Sequence, residues 1–491
     1  MGKLRIAMIT PEAAPLARTG GLGDVMGALP SALAQLGHDV AVFLPRYSGI
    51  TTTGGRTTTL ENGPSVNLGG KTTSFSLERY AGDKSKVATY LIGHKTYFDR
   101  PEMYVDPRTG KDYADNDERF VMFSLAALEA MRGLDWKPDI IHLHDWQAAL
   151  VPAFLKTRYL GDPSFSGVRT VLTIHNIGYQ GLFPGERFVH LGLPEGYFYP
   201  VRGPVEFFGK VNFLKAGIAL ADRVTTVSET YAREIKNSSE FGGGLEGVLT
   251  QRGANVIGIL NGVDYTVWSP SRDHQIPRTY HLKNLSGKRQ CRVELVREAG
   301  LPIRENAPLI GMVTRLVEQK GFDLIAEAID ELFALNVQMI VLGAGDQKYH
   351  DLLSDWQKQY PDKLKVYLTF NDALAHRIEA GADMFLMPSR YEPSGLNQMY
   401  SLKYGTVPIV RRTGGLADTV QDYDPAAKTG NGFVFDEYDS KAMIEAITRS
   451  MTVFPKKRIW NRLIKAGMST DFSWAIAARK YDSLYSSLLS S

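Results

Sequence analysis

The sequence predicts an α/β protein made of two doubly wound parallel-sheet domains. Three observations carry this. Short apolar runs alternate with helical periodicity along most of the chain. The scheme that opens the chain, strand then long loop then amphipathic helix then strand, begins again near residue 309. An irregular polar stretch lies between the two occurrences.

The elements follow in order. Leu4 to Ile9 is a short apolar run of the kind that forms a buried parallel strand. Residues 10–23, rich in Pro, Ala and Gly, form a strand-to-helix loop far longer than the usual ~2–6 residues, and such loops are commonly functional. Val25, Leu29, Leu33 and Leu36 then fall on one helical face, with Gly37 as the stop. Val40 to Leu44 is the next strand. Residues 51–87, rich in Thr, Gly and Ser, read as short strands and turns. Further strands are expected at Ile140 to His144, Val171 to Ile174 and Val224 to Val227, with helices over 117–131 and 206–220.

Asn261 to Asp264 is a turn that marks a junction. After it come a strand at Leu309 to Val313 and a helix with Phe322, Ile325, Ile329, Leu332 and Phe333 on one side. The next strand is Val337 to Leu342. Phe472, Ser473 and Trp474 begin a final amphipathic helix with Ala478, Tyr481, Leu484 and Leu488. Its apolar face must be buried, across the junction or against a second copy. The expected division is 1–262, 263–470 and a tail helix over 471–491.

Composition removes several classes of function. Of 491 residues, 44% are hydrophobic and 22% charged, as in a soluble globular chain. Lys and Arg number 56 against 53 Asp and Glu, so the net charge of +3 does not suit a chain that coats nucleic acid. No run approaches ~18 apolar residues, so no membrane helix is expected. Lys3 and Arg5 precede an apolar run too short for a signal peptide. The single cysteine, Cys291, cannot make an internal disulfide and suits a reducing, cytoplasmic setting. Oligomeric state has no sequence signal.

Six clusters carry candidate chemistry. Arg18, Gly20, Gly21 and Asp24 lie where the first helix starts, and read as a phosphate or sugar-diphosphate contact. The alternative is Asp24 as a plain helix cap. A dinucleotide fingerprint does not fit, because its third glycine falls on Met26. His142 and His144 share a strand face, but no third ligand of matching spacing follows, so no metal is expected. Asp145 and Trp146 end that strand, where open α/β sheets bind ligands. The competing reading makes Asp145 a cap and Trp146 core. His175 and Asn176 end the next strand, ahead of a Gly-rich loop. Arg315 and Lys320 place two cations near a helix start, which suits a diphosphate leaving group. Glu392 precedes a helix beside Ser394, Gly395 and Leu396. Thr413, Gly414 and Gly415 form a further Gly-rich nest.

In order, the segments RTGGLGDV, HLHDW, TIHNIGYQG, ILNGVD, TRLVEQKG, PSRYEPSGLNQMYSLKYG and RRTGGLADTV resemble the bacterial glycogen synthase and plant starch synthase family, from residue 4 to about 486. The resemblance implies two Rossmann-like domains facing across a cleft, the GT-B arrangement. It implies transfer of glucose from ADP-glucose to the non-reducing 4-hydroxyl of an α-1,4-glucan, with retention and without a cofactor or catalytic metal. It further implies that Arg315 and Lys320 hold the diphosphate, that Glu392 lies near the donor glucose, and that His175 steadies the oxocarbenium-like state. Asp145, Trp146, Asp24 and Asn261 become sugar contacts; Thr413, Gly414 and Gly415 lie by the phosphates; Phe370 stacks on the base. Tyr97, Asn176, Ser394, Gly395 and Leu396 complete the candidate substrate contacts.

The chain departs from the family's usual Lys at Arg18, its Cys at Ser394 and its Tyr at Phe370. Related transferases carry a ribose-binding Glu where this chain has Tyr400. Three rivals remain: a transferase with another donor or a small-sugar acceptor, a silent glucan-binding protein, and a nicotinamide oxidoreductase.

Overall fold

A computed structural model describes residues 2–50, 55–82 and 86–490. The chain divides into two compact units. The first comprises Met1–Val227, Ala232–Gly262 and Trp474–Ser491; the second comprises Ser228–Tyr231 and Val263–Ser473.

The first unit is built on a nine-stranded sheet. Its order is Val256–Gly258, Arg223–Thr226, Arg169–Ile174, Ile140–His144, Arg5–Ile9, Asp39–Pro45, Ala88–Gly93, Lys71–Gly82 and Gly55–Leu68. The first seven are parallel and the last two antiparallel. Strand order reverses at Arg5–Ile9, which has Asp39–Pro45 on one side and Ile140–His144 on the other. The carboxyl ends of Arg5–Ile9 and Ile140–His144 therefore flank a topological switch point, the place where open sheets hold ligands.

Residues 51–87 are not short strands. Among those described, Gly55–Leu68 and Lys71–Gly82 form one long hairpin. Gly69 and Gly70, with φ of 54° and 83°, supply its two-residue turn. Register shifts between Thr59 and Glu61 and between Asn62 and Ser65 break the two-residue period, which is why the sequence alternates so weakly. Residues 51–54 and 83–85 of that expectation lie outside the described residues.

The expected helix over 206–220 is also corrected. Glu206–Phe207 and Lys210–Asn212 form an antiparallel ribbon that turns through Phe208 and Gly209, both at positive φ. The helix occupies Phe213–Leu220 only; its N-cap Asn212 accepts the Lys215 N–H at 2.8 Å. The first helix runs Gly21–Gln35, so the preceding loop is shorter than expected. Leu36 falls outside the helix and is exposed.

The tail helix Trp474–Ser490 belongs to the first unit, where Trp474, Ala478, Tyr481, Leu484, Tyr485 and Leu488 are buried. It lies against the first helix, and the Tyr485 hydroxyl pairs with His142 Nδ1 at 2.8 Å.

The second unit has a six-stranded parallel sheet ordered Leu364–Tyr367, Gln338–Leu342, Leu309–Val313, Met384–Met387, Val407–Arg411 and Phe433–Phe435. Its order reverses between Leu309–Val313 and Met384–Met387. The helix expected across Phe322 to Phe333 is two, Phe322–Glu327 and Ile329–Ala334. They break at Ala328 (φ −113°, ψ 19°).

Candidate active site

Each switch point gathers candidate residues, and each is described within its own unit. In the first, the loop after Arg5–Ile9 folds around Glu12, which the sequence did not single out. This buried carboxylate accepts the Thr19 N–H and hydroxyl, each at 2.7 Å, the Gly20 N–H at 3.3 Å and the Tyr104 hydroxyl at 2.9 Å. It fixes the Gly-rich turn by charge-assisted bonds. Gly20 caps the helix, and a Cβ on Gly20 or Gly21 would meet open space. Asp24 is therefore not the cap; it pairs with Arg18 through two contacts, Nε to Oδ1 at 2.8 Å and Nη2 to Oδ2 at 3.1 Å.

Across the switch point, Asp145 sits at φ 55°, ψ −172°, a strained backbone for a residue with a Cβ. That geometry aims its Oδ1 at the His175 N–H, 2.7 Å away. Burial pushes the carboxyl up to about 7, against the opposing effect of the His175 and Asn176 N–H groups. His175 Nε2 meets His144 Nδ1 at 3.0 Å, and the His142 and His144 rings are 4.2 Å apart. Desolvation holds all three imidazoles well below their usual range, so they are neutral at pH 7. Both His142 nitrogens are engaged, Nε2 with the Thr173 hydroxyl at 2.6 Å and Nδ1 with Tyr485, which leaves no lone pair for a metal.

Trp146 is core. It meets Phe120, Phe183 and Phe213 edge-on, and Gly181 packs against its ring. Asn176 accepts the Gly178 N–H at 2.9 Å. Asn261 is buried, and its Oδ1 has no partner among the described residues. The Tyr97 hydroxyl donates to Glu118 at 3.1 Å. Among the described residues, Asp117, Glu118 and His190 are close enough to hold an ion, but the Arg187 guanidinium, 3.3 Å from Glu118, already supplies the charge.

In the second unit, Lys320 and Glu392 stand on the two loops that flank the switch point. Their side chains are mostly buried and pair at 2.6 Å, and the Ser389 hydroxyl donates to the same Glu392 oxygen at 2.9 Å. Lys320 lies on a single turn, Glu318–Lys320, that precedes the helix, so the cations are carried by the loop and not by a helix start. Arg315 is exposed, and its side chain has no ion-pair partner among the described residues.

Three glycines let neighbouring loops touch the Glu392 loop. A Cβ on Gly321 would strike the Pro388 carbonyl, one on Gly414 that of Glu392, and one on Gly415 that of Ser394. The Gly415 N–H donates to the Glu392 carbonyl at 3.0 Å, and the Gln319 amide to that of Tyr391 at 2.9 Å. Thr413 is buried at the cap of Gly414–Thr419. Gly395 has φ 64°, the Ser394 hydroxyl reaches its carbonyl at 3.3 Å, and Leu396 caps Asn397–Tyr404. Phe370 is 76% exposed, ahead of Asp372–Gly381. Tyr400 is buried and stacks on Trp268 at 3.9 Å.

The structure thus joins Asp145, His175 and Asn176 in one cluster, and Lys320, Glu392, Ser394, Gly414 and Gly415 in another. Glu12, Ser389 and Gly321 were missed. A carboxylate three residues beyond a strand is the one signal that pointed to Glu12; a loop glycine pressed on a distant carbonyl has none.

Comparison with known proteins gives the chain its family. Residues 5–251 match the family described as starch synthase catalytic domain, and residues 297–462 match glycosyl transferases group 1. The chain is 47% identical to glycogen synthase of Koribacter versatilis over 489 residues, covering 98% of each. It is 46% identical to that of Desulforudis audaxviator over 490 residues, covering 98% of this chain and 96% of the relative. Among solved structures, the catalytic domain of starch synthase IV from Arabidopsis thaliana, bound to ADP and acarbose, superposes with a TM-score of 0.90. It is 34% identical and covers 100% of both chains.

Proposed function

Because this chain belongs to the glycogen and starch synthase family, we propose that it is a retaining glycosyltransferase that moves glucose from ADP-glucose to the non-reducing 4-hydroxyl of an α-1,4-glucan. The observation that carries the reading is the buried Lys320–Glu392 pair at the second switch point. A glucan alone needs no buried ammonium. A diphosphate leaving group does, because charge builds on it as the glycosidic bond breaks.

Lys320 and Arg315 neutralise the departing ADP. Thr413 lies by the phosphates on the loop that Gly414 and Gly415 hold against Glu392, and exposed Phe370 stacks on the adenine. Glu392, oriented by Lys320 and Ser389, hydrogen-bonds the donor glucose. In the first unit, Asp24, Tyr97, Asp145, Asn176 and Asn261 take sugar hydroxyls. His175, held neutral, steadies developing positive charge through its dipole without adding a repelling cation. Trp146 acts from the core, packed against Phe120, Phe183 and Phe213 next to Asp145 in the chain. The acceptor hydroxyl attacks from the face the diphosphate leaves, and its proton passes to a phosphate oxygen. Retention then follows without an enzyme nucleophile, and no metal or cofactor takes part.

Among the described residues no helix is long and apolar enough to cross a membrane. A single, buried thiol at Cys291 suits a reducing, cytoplasmic setting.

ADP release from labelled ADP-glucose and UDP-glucose, with and without glycogen, tests donor and acceptor together. Lys320→Ala is expected to lower turnover roughly 10²–10³-fold. Full turnover in that variant would sink the diphosphate assignment, and UDP-glucose preference would sink the donor.

A further inference from the structure

Val201 and Phe208 are the most exposed large apolar side chains among the described residues, at 92% and 84%. Both also have positive φ, 67° and 50°. A β-branched residue in that region is costly, and so is an apolar ring in water. The two costs coincide at two positions of one short excursion and are held there by built structure. The buried Glu206 carboxylate accepts the Val201 N–H at 3.3 Å through one oxygen and the Gly209 N–H at 2.8 Å through the other. One carboxyl group thus ties together the two backbone turns that carry the tips. Beneath them, the Lys215 ammonium donates to the carbonyls of Gly203, at 3.1 Å, and Glu206. Exposed Tyr199 shares the turn, its carbonyl accepting the Gly203 N–H at 2.7 Å.

The excursion is continuous with the site. It leaves the sheet directly after His175 and Asn176. It is anchored at its base by Gln180, whose Oε1 accepts from Asn212 at 2.7 Å, and by Gly181 against the Trp146 ring. From this we propose that Tyr199, Val201 and Phe208 form a rigid glucan-holding platform, on which the acceptor chain rests its apolar C–H faces some sugar units away from the reacting end.

Separate rings and an aliphatic tip on a stiff turn suit a sugar chain, whose apolar faces are small and regularly spaced. A protein partner calls for a contiguous apolar patch. The stored strain fits preorganisation: the side chains are presented before the ligand arrives. This inference rests on the glucan-acceptor reading.

The test uses Val201→Gly, Phe208→Asn and the double variant. Each new residue accepts the left-handed backbone, so the turn is kept while the apolar tips are lost. KM for glycogen is expected to rise about tenfold in the double variant, the equivalent of losing one or two stacked contacts. The turnover number and KM for ADP-glucose stay within about twofold. An unchanged KM for glycogen overturns the proposal. If native mass instead falls from dimer to monomer while that KM is unchanged, the tips contact a second copy. If the wild type transfers no glucose, the function reading fails. Retardation of wild type against the double variant in a glycogen-containing native gel then still decides the platform: equal mobility overturns it, and loss of retardation upholds it.

Discussion

Two segments of this chain are nearly the same in sequence and opposite in physical role: Arg18 to Asp24 reads RTGGLGD, and Arg412 to Asp418 reads RTGGLAD. Each starts a helix beside a parallel strand end, and each helix begins inside the glycine pair, at Gly21 and at Gly414. In the first, the glycines face open space and the arginine and aspartate pair with each other. In the second, the glycines are pressed onto the carbonyls of Glu392 and Ser394. The charged groups look outward instead, Arg412 to Asp436 and Asp418 to the Thr230 N–H and hydroxyl at 3.0 and 2.6 Å. The one difference between the segments follows from this. A Cβ on Gly23 would come 3.1 Å from the Arg18 Cα, whereas Ala417 is half-buried. A motif therefore does not state why its glycines are there: one pair leaves room for a ligand, the other leaves room for the protein itself.

Gly415→Ala should have the largest effect. Its methyl group has to displace the Ser394 backbone, and with it Glu392. An ångström of misplacement at a reacting centre costs roughly 10²-fold in turnover, and overpacking costs about 1–3 kcal/mol of stability. ADP-release kinetics and urea unfolding read the two. If both match wild type, the packing role of the second glycine pair is wrong and the segments are alike after all.

The strands of both sheets were legible because buried parallel strands are plain apolar runs: Ile140–His144 and Leu309–Val313 fall where the sequence puts them. Legibility failed where backbone conformation outweighs side-chain pattern. The helix expected over 206–220 lost residues 206–212, about two turns, to a ribbon that bends at Phe208, a residue whose positive φ no propensity announces. The long hairpin was hidden by its own bulges. At the site, the residue types that carry charge were visible, since Lys320, Glu392, Asp145 and His175 all end strands or follow them. Their supports, Glu12, Ser389 and Gly321, were not. A support is defined by what it touches, and those contacts join residues far apart in sequence.

Glu12→Gln is the next largest expected effect, and it tests the first segment alone. The substitution removes the charge that holds the Thr19 N–H and hydroxyl and the Gly20 N–H. A buried hydrogen bond to a charged group is worth about 1.5–3 kcal/mol, so stability of the first unit should fall by that order while the Lys320–Glu392 pair in the second is untouched. A wild-type unfolding curve would mean that the open loop needs no internal anion.

The clusters beside the segments differ in charge as well, and pH separates them. Burial holds His142 and His144 below their usual range, so the folded first unit resists protonating them. Their contribution to stability is present above about pH 6.5 and is lost as the pH falls. Asp145 acts with the opposite sign. Raised to about 7, it stays protonated when folded, so its contribution is full below about pH 3.8 and is lost as the pH rises towards 7. Asp145→Asn removes only the second effect. Between pH 4.5 and 6.5 the variant's stability should climb with pH more steeply than wild type's, by about one proton or ~1.4 kcal/mol per pH unit. Parallel slopes from denaturant titrations would show that Asp145 is ionised throughout.

The smallest effect is the sharpest contrast with Gly415. Gly21→Ala adds a methyl group to a helix start where nothing lies within 4 Å. Because alanine gives up less backbone entropy than glycine on entering a helix, folding stability should stay level or rise by up to about 0.5–1 kcal/mol. Any loss must then appear against ligand alone. If the open space is where a phosphate or sugar approaches the backbone, KM for the donor or the acceptor rises severalfold with the melting temperature unmoved. The same methyl group at Gly415 lowers both stability and turnover. A Gly21→Ala enzyme with wild-type KM for both substrates would show that the first glycine pair serves only to let the chain turn between Arg18 and the helix.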